Sequence, residues 1–217
     1  MITRRSATAV LAGSAVLAAT QGLADDTAEK PLPPARGEGG KPLMQALVLR
    51  RSTREYSDRP LSDQTLSDLT WAAFGINRPS GDRTAPYWRH IMVIDLYLAM
   101  SDGVWLYYPQ KHFLRRHLPV DIRAKTGLQD FVANAPLNLI YVAHGERMKD
   151  VPPNDRRLYA SVDSGFIGQN VYLFCASEGL ATVFRGAVDA AELGRALQLC
   201  PEQFVTFAQA VGYPQNA

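Results

Sequence analysis

The chain has 217 residues, 47% of them hydrophobic and 20% charged, enough for one domain with a sizeable core. A net charge of +2 is too small to argue for a nucleic-acid surface, and neither zinc-finger spacing nor an internal repeat accompanies it.

The first residues read as an address, not as fold. Residues 1–6 form a short basic segment containing Arg4 and Arg5, and residues 7–20 are an apolar run too short for a comfortable membrane span. Gly22-Leu23-Ala24 places small residues at both cleavage positions. Residues 1–24 are therefore expected to be a secretory signal peptide, with the mature chain beginning near Asp25. The Arg4-Arg5 pair looks like a twin-arginine signal, although the usual Phe-Leu is missing and the Sec route stays open. The expected location is periplasmic or otherwise exported, with no membrane span in the mature chain. Residues 25–41 hold three prolines and three glycines among charges and read as a linker or extended arm. The domain proper is expected over 42–217. Of the two cysteines, Cys175 lies in an apolar helical pattern, where a buried free thiol is the commoner case.

A first helix is expected from about 42 to 50. Ser62 can cap a second one running to Phe74, with Leu66, Leu69 and Ala73 buried and Gly75 as its stop. Residues 77–86 are a loop. Residues 91–98 and 104–108 read as two strands joined by a Ser101-Asp102-Gly103 turn. A helix is expected over 121–134, then a buried strand over 137–143. The longest helix should run from 155 to 178 and end at Gly179. Leu158, Val162, Phe166, Val171 and Phe174 trace much of one side, and Ile167 and Leu173 lie on others, so it should be buried nearly all round. Gly165 and Gly168 each cost up to ~1 kcal/mol there relative to Ala, which is understandable if another backbone approaches closely, as a partner helix across a dimer would. The alternative is an ordinary core helix that tolerates two glycines. A strand at 181–184, a helix at 190–199 and a strand at 204–211 follow. Without regular βαβ alternation the class is α+β.

Chemistry concentrates at Arg50-Arg51-Ser52-Thr53-Arg54, where the first helix gives way to a loop. Three guanidiniums and two hydroxyls within five residues suit a phosphate clamp for a mononucleotide; the other reading is a solvated basic turn at a helix C-terminus. No dinucleotide fingerprint, Walker loop, zincin motif or nucleophile elbow is present. His90, His112, His117 and His144 show no metal-ligand spacing, and a thiol–imidazole pair of Cys175 with His144 is a remote option. No catalytic side chain is singled out; an enzyme built this way would take its reactive group from a bound cofactor.

The order of these parts resembles the FMN-dependent nitroreductase family, in its exported, SagB-like branch, over residues 42–214. The motif from Arg50 to Tyr56 is similar to that family's opening motif. Residues 61–74 resemble its next helix, and 75–79 through 83–86 the loop lining the flavin. The helix with Asp163, Gly165, Gln169 and Asn170, then Gly179-Leu180-Ala181-Thr182, looks like its central helix and exit strand, and Gly212-Tyr213-Pro214 like its closing motif. The resemblance implies a central mixed or antiparallel sheet flanked by helices and a homodimer with FMN between subunits. It implies that Arg50, Arg51, Ser52 and Arg54 hold the phosphate, that Arg185 and Gly186 face the flavin ring with backbone donors, and that Pro86, Tyr87 and His90 line the ring. Reduced nicotinamide or another donor would supply a hydride, and a nitroaromatic, quinone or similar small molecule would accept it.

Two departures accompany the resemblance. A small polar segment of the family is replaced by Tyr87-Trp88-Arg89-His90, with His90 in place of Asn, and no basic residue follows the closing motif. Tyr87 and Trp88 can stack on a flavin ring or fill its place. A second class therefore stays open: a protein of the same fold that has lost or sequesters the flavin and binds a ligand or partner without catalysis.

Overall fold

Period-two alternation in the apolar runs sorts side chains to the two faces of one sheet. The structure, a computed structural model, describes residues 28–215. Seven strands appear among them: β1 (Glu29–Pro31), β2 (Ile94–Met100), β3 (Gly103–Tyr108), β4 (Phe113–Leu118), β5 (Leu137–His144), β6 (Ala181–Arg185) and β7 (Gln203–Gly212). Their order is β1-β4-β3-β2-β5-β7-β6, and every neighbouring pair is antiparallel. Among the described residues four α-helices flank the sheet: α1 (Leu43–Leu49), α2 (Asp63–Phe74), α3 (Pro153–Glu178) and α4 (Ala190–Ala196). Leu96, Leu98, Leu139 and Tyr141 meet Leu69 of α2 and Ile167 and Val171 of α3 on one face. Tyr97, Ile140 and Val142 meet Leu193 of α4 on the other. The class is α+β, as expected, with a wholly antiparallel sheet.

Local signals explain where the helices begin and end. The Ser62 hydroxyl accepts the Thr65 N–H at 3.1 Å, satisfying an otherwise unpaired donor of the first turn of α2. Leu66, Leu69 and Ala73 are buried. Gly179 caps α3 with φ +73°, a backbone that glycine adopts without strain.

Several expectations need correction. The 121–134 stretch is not a helix but two short 3-10 turns at Arg123–Lys125 and Asp130–Ala133. The reason is Arg185. Its guanidinium takes the Thr126 carbonyl at 2.9 Å and occupies the space where a side chain at Gly127 would sit. That carbonyl is then spent on a side chain, not on a helical ladder. The 25–41 arm is only partly a linker: Glu29–Pro31 pairs with β4, and Leu32 enters the core. β4 is unannounced because Arg115, Arg116 and His117 break its apolar run; stacking of Arg115 on Tyr108 and of Arg116 on Trp105 makes their stems part of the packing.

α3 is not buried all round within the subunit. Ala160, Ile167, Val171 and Cys175 face the core, whereas Leu158, Val162 and Phe166 stand at solvent because the sheet covers only one side. The close approach at Gly168 comes from the Phe184 ring of the same chain, against which an added Cβ would lie 2.5 Å away; Gly165 faces open space. No helix among the described residues is long and apolar enough to cross a membrane. The expected signal peptide, 1–24, lies outside the described residues.

Candidate functional site

The Arg50–Arg54 segment lies along the open edge of the sheet. α1 ends when Arg50 turns to extended backbone (φ −56°, ψ 121°). The Thr53 N–H then donates to the Thr182 carbonyl at 2.9 Å, laying the segment beside β6, the last strand in the sheet. Ser52 Oγ lies 2.7 Å from the Tyr172 hydroxyl, which in turn accepts the Phe184 N–H at 2.9 Å. Their mutual hydrogen bond uses one of the two hydroxyl protons, so one proton of the pair is left for an outside acceptor. The Arg50 guanidinium sits 5.2 Å from the centroid of the same Tyr172 ring. Arg50 and Ser52 therefore converge on α3 beside β6. Arg51 borders a cleft that Tyr172 and Gly179 also line, and Arg54 a larger one with Tyr56 and Asn134.

At the far end of β6, Arg185 divides into two parts. Its guanidinium is buried on the face away from α3, donating to the Thr126 carbonyl and to Asn138 Oδ1 at 2.8 Å, and burial pulls its pKa down to about 10. Its side chain is thus committed inside the subunit, and only its backbone adjoins exposed Gly186.

Residues 86–90 lie elsewhere. Tyr87 packs edge-on against Phe74 and donates to Asp82 at 2.7 Å; Trp88 stacks on Tyr159 with ring centroids 5.4 Å apart. Both bulky rings are held by their own subunit. Arg89 (φ +47°) and His90 (φ +58°) occupy left-handed backbone that costs a non-glycine residue strain, and exposed His90 places Nδ1 3.4 Å from Asp82 Oδ1. Pro86 is exposed. Tyr159, under Trp88, and Tyr172, under Arg50, are thirteen residues apart on α3, which is about 20 Å of helix. One subunit thus keeps the clamp residues and the 86–90 segment well apart.

Asp163 anchors that segment. Its carboxylate accepts the Trp88 N–H at 3.1 and 3.0 Å, yet burial raises its pKa to about 6. The folded state therefore holds a proton that the unfolded chain has released between about pH 4 and pH 6, and stability falls as pH rises through that window. The difference from an ordinary aspartate is worth roughly 3 kcal/mol at neutral pH. Asp163→Asn keeps an acceptor for Trp88 and removes the charge. At about pH 7.5 it is expected to raise stability by roughly 2–3 kcal/mol, with a flatter dependence at lower pH. Urea unfolding at two pH values and fixed protein concentration checks this; a variant no more stable than wild type at neutral pH contradicts it.

The thiol–imidazole option fails on burial. Cys175 is fully enclosed, and burial drives its thiol far above the ordinary range, so no thiolate nucleophile is present. His144 pairs instead with Asp95 Oδ2 at 2.6 Å. Sequence reasoning missed Tyr172, which reads as one more ring in an apolar helix; only the fold puts its hydroxyl between Ser52 and β6.

Residues 47–213 match the Nitroreductase family. A presumed nitroreductase of Methanocaldococcus jannaschii is 34% identical over 155 residues, 67% of this chain and 78% of the relative. The crystal structure of a presumed nitroreductase from Ralstonia eutropha JMP134 superposes with a TM-score of 0.82 at 40% identity, covering 86% of this chain and 89% of that one. That of a presumed nitroreductase from Desulfovibrio desulfuricans, in complex with FMN, shares the fold at 22% identity with a TM-score of 0.59, over 82% and 88% of the two chains. With its sheet, its long central helix and this match over most of its length, the chain belongs to the nitroreductase family.

Proposed function

We propose that the protein is a homodimeric, FMN-dependent oxidoreductase of the exported, SagB-like branch. The observation that carries the reading is the line formed along β6 by Arg50, Ser52, Tyr172 and the Phe184 N–H, which sets a cation and a hydroxyl pair with one uncommitted proton in sequence with exposed Gly186. Bound there, FMN would supply hydride transfer between a reduced donor, such as a reduced nicotinamide, and an electrophilic acceptor such as a nitroaromatic or quinone. This chain's residues bind and orient. Arg50 and Ser52 hold the phosphate, and Arg51 and Arg54 add positive charge from either side. The backbone at Arg185 and Gly186 offers donors toward the ring, with the sheet behind it fixed by the buried Arg185 guanidinium. Pro86, Tyr87 and His90 reach the ring from the partner subunit; within one subunit their segment packs about 20 Å along α3 from Arg50.

The packing of half-buried Tyr87 and Trp88 against rings of their own chain favours an open ring site over a sequestered or lost flavin. The absorbance spectrum of purified protein, before and after heat release of any chromophore, tests this. A yellow preparation that releases FMN is expected. A colourless protein that does not take up added FMN overturns the reading in favour of non-enzymatic binding.

Export is part of the proposal. Arg4-Arg5 and the small residues before Asp25 support passage after folding, which suits a cofactor acquired in the cytoplasm. Mass spectrometry of protein from the exporting cell should find a terminus near Asp25. An intact Met1 or Ile2 terminus outside the cytoplasm rejects cleavage.

A further inference from the structure

A second cavity lies on the other half of the sheet. The β2–β3 ladder stops at the Tyr97–Leu106 pair. Beyond that pair a cavity of about 380 Å³ opens beside Ile94, Leu96, Leu106 and Tyr107. Phe74, Met92 and Pro109 add apolar wall, and Asp95, Gln110 and Arg147 stand with Arg83 on the polar side. That volume falls in the range of small-molecule sites, which are mostly apolar with a few placed polar groups.

One wall is Arg83, and its situation is unusual. The residue is only 3% exposed, yet Nε and NH1 have no hydrogen-bond partner, and the remaining nitrogen meets the Met92 thioether. Buried arginines are ordinarily held by carboxylates or carbonyls. The guanidinium lies 5.4 Å from the centroid of the Phe74 ring, which supplies some attraction but no acceptor. The charged or titratable groups that act on it are Asp95, Tyr87 and Tyr107. None is free to pair. Asp95 is engaged by Arg147 at 2.9 and 3.1 Å and by His144. Tyr87 donates to Asp82, and the Tyr107 hydroxyl is bonded to His112 at 2.9 Å. A buried cation without a counter-ion is expensive, and an anion entering the adjoining cavity relieves it.

We infer that this cavity binds a small organic carboxylate with an apolar body, its anionic end paired with Arg83. The apolar lining selects the body, and a single unpaired guanidinium matches one negative charge. A phosphate dianion fits less well, because the other lining cation among the described residues, Arg147, is already paired with Asp95. The binding involves a turn of the guanidinium toward the cavity, since its unpaired nitrogens are enclosed in the free protein. The inference does not rest on flavin binding: Arg83 opens the 83–86 stretch, but its guanidinium borders this cavity, which shares no residue with the Arg50–Arg54 segment.

Calorimetric titration of the purified full chain tests it with three probes: benzoate, neutral benzamide and inorganic phosphate. Benzoate is expected to bind in the millimolar range or tighter, at least about tenfold better than benzamide or phosphate. Arg83→Leu is expected to weaken benzoate at least about tenfold, while raising the melting temperature of the ligand-free protein, because it removes a buried unpaired charge. Arg83→Lys, which retains the charge, keeps weak benzoate binding and serves if the leucine variant does not fold. The inference is overturned if wild type takes up no benzoate at millimolar concentration, if benzamide or phosphate binds as well, or if benzoate binding is unchanged in Arg83→Leu. The wild-type comparison of probes decides the matter even without a variant, and none of these readouts uses flavin-dependent activity.

Discussion

Phe166→Glu is expected to turn a dimer into monomers. Leu158, Val162 and Phe166 recur every four residues on the solvent face of α3, and Phe166 is 45% exposed in the subunit. α1, packed near α3, turns Leu43, Met44, Leu47, Val48 and Leu49 outward as well, with Val48 84% exposed. That much apolar surface on two elements is what the proposed dimer would cover, a two-fold interface setting the same patch against itself. By symmetry each substitution acts twice. The partly exposed rings lose about 1 kcal/mol of burial each, and two new carboxylates must leave water at a cost of several kcal/mol. Association should weaken roughly a thousandfold or more. Sedimentation velocity at micromolar protein should report a dimer for wild type and half that mass for the variant. A monomeric wild type, or a variant that still dimerises as tightly, shows that this face is not the interface. If residues 86–90 of one subunit line the flavin of the other, the monomeric variant should also release FMN.

Removing one guanidinium from the clamp should cost flavin affinity in a phosphate-dependent way. Arg50 stands over Tyr172 beside Ser52, and Arg54 borders the neighbouring cleft. A charge-assisted hydrogen bond contributes on the order of 1.5–3 kcal/mol. Arg50→Ala should therefore weaken FMN roughly ten- to a hundredfold, and Arg54→Ala by less, since it is Arg50 that stands over Tyr172 beside Ser52. Riboflavin lacks the phosphate and should be nearly indifferent to both changes. Added salt should weaken FMN more than riboflavin, modestly if the site is enclosed by the partner. Fluorescence titration with both flavins decides it. Equal FMN affinity in wild type and both variants would falsify the clamp.

What could be read from the sequence was whatever depends on neighbours along the chain. The Ser62 cap, the Gly179 stop and the apolar runs at 94–98 and 137–143 are local, because capping bonds and side-chain periodicity involve residues a few positions apart. The Arg50–Arg54 cluster was legible for the same reason: five consecutive residues carry the chemistry. What involves distant partners was decided by the tertiary structure. Residues 121–134 lost their helix to Arg185, some sixty positions away, which takes the Thr126 carbonyl. β4 exists because Tyr108 and Trp105 cover its arginines and because β1 arrives at its edge. Tyr172 became part of the candidate site only when Ser52, 120 residues earlier, reached its hydroxyl. The glycine cost at Gly168 was visible in sequence, but its cause was a ring of the same chain and not a partner helix. Spacing along a chain fixes which side chains can share a face; which of them meet is set by strand order and packing, and those follow from burying the whole apolar surface at once.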